Sequence, residues 1–232
     1  SDSLTKRYRK AVVQISLPNY YGLSMKGYNQ AHEHVSFNDK LRALNEKQTY
    51  AYLDQKDTRL FYKLYFSVLD YVNALEQIIP NKKIDPNNYI EPDELVNLIE
   101  VFWKAKDRFI DGYVQKNPLN LTYRNLNIIK DFKYGMRKNF LLAVYEKNYT
   151  VLNDEGINYM VKGLNENLDK FIPAEKTPML IQTAIMPFNG MIIYDGFIST
   201  ADMQLSQELV SKAFEDYSYG QKIYSLLPKN MN

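Results

Sequence analysis

Apolar residues recur every three or four positions through Leu60, Phe61, Leu64, Val68, Val72, Leu75 and Ile79. That period predicts one long amphipathic helix, capped by Asp57 or Thr58 and stopped at Pro80-Asn81. A weaker helical pattern precedes it, through Leu41, Leu44, Tyr52 and Leu53. A second long helix is expected to start at Pro92, which suits a first helical position, with Asp93 and Glu94 at the positive end of its dipole. Its stripe continues through Leu95, Leu98, Ile99, Phe102, Phe109, Ile110 and Tyr113 to Asn117-Pro118. A further helix starts at Thr122 and uses Leu126, Ile129 and Phe132 or Met136. Short turns between these helices imply an antiparallel helical layer.

After Gly135 the period falls to two. Phe140 to Tyr145 and Tyr149 to Leu152 read as a hairpin joined by Glu146-Lys147-Asn148, and Ile157 to Val161 as a third strand. Asn165 to Phe171 reads as a short helical piece. Met179 to Met186 and Met191 to Ile198 flank Asn189-Gly190, a dipeptide suited to the positive φ values of a tight hairpin turn. Pro187 has no N–H for a ladder, so it belongs at a strand end or against an open edge. A closing helix is expected from Asp202 through Leu205, Leu209, Phe214 and Tyr217 towards Gly220. Helices followed by strands give an α+β fold: a helical N-terminal layer, then a C-terminal antiparallel sheet of hairpins with a closing helix. The divisions are an arm with a short helix at 1–56, the helical layer at 57–136, and the sheet with its helix at 137–232. Residues 57–232 are expected to form one folded unit.

Composition narrows the chemistry. The 232 residues include no cysteine, which removes disulfides, thiolate metal sites and thiol nucleophiles. The net charge of +2 is far from that of a dedicated nucleic-acid binder. The 20 tyrosines could stack on bases, but Asn, Lys and Ile are also abundant, as an AT-rich coding sequence produces. No apolar run reaches membrane-spanning length, and Ser1 to Lys10 is basic without a signal-like apolar stretch behind it. The expectation is therefore a cytoplasmic protein that does not engage a membrane.

From about Phe61 to Leu227 the order of features resembles a family of uncharacterised bacterial proteins. The similarity rests on Met186-Pro187-Phe188-Asn189-Gly190-Met191-Ile192-Ile193-Tyr194-Asp195-Gly196, on Leu69-Asp70-Tyr71-Val72-Asn73, on Lys116-Asn117-Pro118, and on the Tyr-rich closing helix. It supports the fold and implies no activity, cofactor or site residue.

Four groups of residues carry candidate chemistry. His32 and His34 would share one face of an extended strand, as two metal ligands require, or belong to a solvated polar stretch. Tyr194 and Asp195 place a phenol and a carboxylate in a buried hairpin, where a perturbed acid can be catalytic. The alternative is that Gly196 marks a bulge whose free backbone groups Asp195 satisfies. Lys130, Lys133, Arg137 and Lys138, interleaved with Phe132, Tyr134 and Phe140, could hold a nucleic-acid strand or merely complement a helix C-terminus. Asp107 and Asp111 share a helix face among lysines and Arg108. There is no Gly-x-Ser-x-Gly elbow, phosphate-binding loop or dinucleotide turn. The expected function is a non-enzymatic macromolecular interaction or regulatory module without a cofactor, with a protein partner favoured over nucleic acid. The competing expectation is a small-molecule-binding or hydrolytic protein using the Tyr194 and Asp195 site, distinguished by whether a pocket opens there or helices fill the sheet face.

Overall fold

The computed structural model describes residues 12–14, 51–200 and 204–229. His32, His34, Leu41, Leu44 and Asp202 lie outside the described residues. In chain order the elements are β1 (Val12–Gln14), β2 (Tyr52–Leu53), α1 (Gln55–Glu76), α2 (Pro92–Lys104), α3 (Lys106–Lys116) and α4 (Tyr123–Asp131). Then follow β3 (Met136–Tyr145), β4 (Thr150–Asp154), β5 (Ile157–Leu164), β6 (Met179–Phe188), β7 (Met191–Tyr194), β8 (Phe197–Thr200), α5 (Gln207–Tyr219) and β9 (Gln221–Ile223). Short 3₁₀ turns cover Phe132–Tyr134, Leu168–Lys170 and Ala174–Lys176.

The helix expected around Phe61 forms, but starts and stops earlier than the stripe suggests. Asp54, rather than Asp57 or Thr58, is the cap, and its carboxylate accepts the Asp57 N–H at 2.8 Å. Gln77 takes a left-handed conformation at φ 52°, which ends α1 before Ile79 and leaves Leu75 48% exposed. Tyr52 and Leu53 are strand, not helix, because they pair in parallel with Gly163 and Leu164 of β5. The helix read from Pro92 to Asn117 is two helices, since the backbone at Ala105 leaves helical geometry at φ −139° and ψ 37°. Thr122 caps α4 by accepting the Asn125 N–H, and Met136, one alternative for its stripe, belongs to β3.

Helices and strands are both present, but the sheet is mixed where an antiparallel one was expected. β5 runs parallel to β2, β7 and β9. Nor do the helices all precede the strands: β1 and β2 come before α1, and α5 separates β8 from β9. The β3–β4, β4–β5, β6–β7 and β3–β6 pairs are antiparallel, and the parallel β5–β7 pair joins the remaining two ends. Five strands thus close into a circuit β3-β4-β5-β7-β6, with β6 returning beside the first strand of the β3-β4-β5 meander in Greek-key order. β8 continues outward from β6, and β1 pairs with β8.

One cluster of buried side chains runs from Leu53 to Ile198 and joins the helices to the sheet. Its centre is aromatic: the Phe61 ring lies 5.4 Å from Tyr65, 6.2 Å from Phe132 and 5.9 Å from Phe188. A smaller cluster, Ala143, Val151 and Met160, lies on the other side, where Tyr217 of α5 packs against it.

Candidate functional site

The β6–β7 hairpin turns at Asn189 and Gly190, both at positive φ, as the dipeptide predicted. Asp195 follows β7, and its N–H reaches Ala184 O at 3.0 Å. Gly196 then takes φ +91° and turns the chain into β8. This local geometry carries the Asp195 carboxylate under α1, where it is fully buried.

The carboxylate is held on both oxygens. Oδ1 accepts the Phe197 N–H at 3.1 Å, and Oδ2 accepts the Tyr65 hydroxyl at 3.0 Å. Tyr65 Oη in turn accepts the indole N–H of Trp103 at 3.1 Å. Thr183 donates to Phe197 O at 2.7 Å and lies 3.4 Å from Asp195 Oδ1.

Burial pushes the Asp195 carboxyl up to about 6, against the downward pull of Arg137 and of the hydrogen bonds it accepts. Tyr65 is held well above the usual phenol range, first by burial and then by the charge of Asp195. Arg137, opposite Ala184 in the β3–β6 register, has its Nε and Nη1 buried without hydrogen-bond partners among the described residues. It acts on Asp195 as a nearby charge and not through an ion pair. The cluster ties α1, α2 and the sheet together, and with Tyr65, Tyr194 and Asp195 all at 0% exposure it is closed to a substrate in this conformation.

The other sequence candidates are dispersed. Arg137 and Lys138 are neighbours on one strand, so the pleat sends them to opposite faces. Lys138 pairs with Asp154, and Lys133 pairs with Asp111 across from α3. Lys130 stands 5.6 Å from the centre of the Tyr123 ring. Asp107 pairs with Lys106. With two of the four cations paired and a third turned inward, the stretch offers a phosphate backbone little joint potential. Among the described residues no three His, Cys, Asp or Glu side chains gather as metal ligands.

Sequence reasoning passed over Tyr65, Trp103 and Thr183, whose polar tips sit in otherwise apolar patterns. It also passed over Lys162, a lone cation in the middle of β5 that is 2% exposed. Its ammonium donates to Asn148 O at 2.7 Å and lies 4.1 Å from the centre of the Tyr149 ring. Burial pulls it down to about 8.

No family model matches this chain, and comparisons with curated proteins and with solved structures return no match. No helix among the described residues is long and apolar enough to cross a membrane.

Gly196→Ala tests how tightly this corner is built. A Cβ there would meet the hydroxyl of Tyr62, a ring only 1% exposed with little room to yield, at a φ that side chains rarely adopt. Gly190 also has positive φ, at +78°, but open space around it. Urea denaturation is expected to show a loss of about 2 kcal/mol or more for Gly196→Ala and about 1 kcal/mol for Gly190→Ala. Equal losses would mean that the Tyr62 contact adds nothing.

Proposed function

We propose that this chain is a non-enzymatic interaction module that docks a protein partner on α5. The observation that carries the reading is the mismatch between α5 and what it covers. Ser206 caps the helix by accepting the Leu209 N–H at 3.3 Å. Its only buried side chain is Ala213. Leu209 and Phe214, on the two shoulders of the same apolar arc, stay 48% and 57% exposed, and Tyr219 beyond them 88%. Large aliphatic and aromatic groups left in water around a helix are the usual anchors of protein interfaces.

Charge narrows the partner. The helix carries Glu208, Glu215 and Asp216 against Lys212, three acids to one base, which repels phosphate backbones and anionic lipid. A protein surface with an apolar patch and a basic rim complements it. The closure of the Asp195 cluster under α1 supports this reading over a hydrolytic one. Small Greek-key barrels that bind oligonucleotides use the face of their second and third strands. In this circuit those strands are β4 and β5, and α5 packs against both.

The test is photo-crosslinking with benzoylphenylalanine at position 214, in the full chain mixed with lysate of the source organism, beside a control at the exposed Tyr89. A protein adduct from 214, absent from 89 and abolished by Leu209→Asp, is the expected result. No adduct above the control, or one with nucleic acid only, overturns the reading.

A further inference from the structure

α1 presents Lys63, Phe66 and Asp70 along one face, at the three- and four-residue spacing that brings side chains together. The chain from Lys83 to Asn87 and Leu119 face them across a cleft of about 270 Å³. A second cleft of about 390 Å³ continues along the same loop, and Asp70 and Lys83 line both. The first is smaller than the ~300–1,000 Å³ of sites for drug-sized molecules, so it suits a small ligand.

The loop is pinned from α1. Asn73, 4% exposed, accepts the Ile79 N–H at 2.8 Å and donates to Ile79 O at 2.9 Å and Lys82 O at 3.3 Å. Asp70 Oδ1 accepts the Ile84 N–H at 2.7 Å. Asp85 Oδ1 is spent on the Asn87 N–H at 2.8 Å. The Ser67 hydroxyl, also at the cleft, already meets Leu64 O and Tyr113 Oη, each at 2.7 Å. The walls therefore need no ligand to hold their shape.

What remains unspent has a pattern. Among the described residues, Asp70 Oδ2 and Asp85 Oδ2 have no hydrogen-bond partner, and Lys63 and Lys83, both exposed, have no ion-pair partner. Between the two signs the exposed apolar group is Leu119, 48% exposed at the rim, with Phe66 and Ile84 buried behind the cleft wall at 1% and 2% exposure. We propose that this cleft binds a small zwitterion, an α-amino acid with an apolar side chain. Its ammonium donates to Asp70 Oδ2, its carboxylate lies between Lys63 and Lys83, and its side chain covers Leu119 at the rim. A simple anion would meet the Asp70 and Asp85 charges and a simple cation the two lysines, so the site favours the molecule that carries both.

Calorimetric titration of the full chain with L-leucine and L-phenylalanine tests this, beside 4-methylpentanoate, which lacks the ammonium, and 3-methylbutylamine, which lacks the carboxylate. The expected result is one saturable site for at least one amino acid, with both truncated analogues weaker by about tenfold or more. Asp70→Asn keeps an oxygen for the Ile84 N–H but loses the charge, and is expected to weaken the amino acid by about tenfold while binding 4-methylpentanoate more tightly than wild type does. Lys63→Gln, at an exposed position that the fold does not use, is expected to weaken the amino acid and not the amine. The proposal is overturned if neither amino acid gives saturable heat up to about 10 mM. It is equally overturned if either truncated analogue binds as well as the amino acid, or if both variants bind it as wild type does.

Discussion

Phe61→Ala is expected to cost about 3–5 kcal/mol of unfolding free energy, a large share of the ~5–15 kcal/mol that holds a typical domain together. Phe61 is fully buried, and its ring meets Tyr62 and Tyr65 on its own helix, Phe132 after α4 and Phe188 at the end of β6. Truncation removes the ring that links all of these. None of the neighbours can fill the space readily: Tyr65 is tethered to Asp195 and Trp103, and Phe188 is fixed beside the Asn189-Gly190 turn. A urea midpoint shifted with unchanged slope would show a loss of stability with the unfolding transition intact. A loss below about 1 kcal/mol would mean that the aromatic cluster collapses into the gap.

The second large effect is a pH dependence that Asp195→Asn should abolish. The folded protein raises this carboxyl from 3.8 to about 6, so the native state binds the proton more tightly than the unfolded chain does. The resulting stabilisation is fully present below 3.8 and is lost as pH rises through about 6. A rise of that size corresponds to about 3 kcal/mol. Between about pH 4 and pH 7.5, wild type is expected to lose most of that, about 2–2.5 kcal/mol, relative to the asparagine variant. The substituted amide still accepts the Phe197 N–H but has a donor where Oδ2 accepts Tyr65, and this mismatch is the same at every pH, so it moves the offset and not the slope. Other titrating groups cancel in the difference. Parallel stability curves for the two proteins would show that Asp195 is better solvated, or better matched by Arg137, than its burial implies.

Local chemistry was legible where it is decided locally. The Asn189-Gly190 turn, Pro92 at the start of α2 and Thr122 as the α4 cap each rest on a few adjacent residues, and each is where the sequence puts it. Elements decided at long range were not legible. Tyr52 and Leu53 look like the end of a helical stripe until β5 supplies a partner. The break at Ala105 interrupts a stripe that stays apolar on both sides, so period alone carries it through. The parallel β5–β7 pair has no short-range signal, and an expectation built from hairpins alone makes the sheet antiparallel. The candidate site divides in the same way. Asp195 and Gly196 stood out because a carboxylate and a glycine interrupt an apolar run. The partners of Asp195 are separated from it by up to 130 positions and cannot be read from spacing. The basic stretch spans a helix end, a turn and a strand, and alternation within the strand divides what sequence proximity joins.

The closed circuit of strands also bears on self-association. An open sheet in so aromatic a chain would offer outermost strands on which another molecule could add its own, the first step towards aggregation. Five strands joined end to end have no outermost member. On β8, which continues outward from β6, Val12–Gln14 pairs with Phe197, Ile198 and Ser199 along the far side. Where β6 runs on past Met136, the last of its β3 partners, the chain places Pro187, which has no N–H to offer a newcomer. The backbone that shapes the buried corner at Asp195 thus also closes the five-strand circuit, and among the described residues the strands left with a single partner are the short β1, β2 and β9.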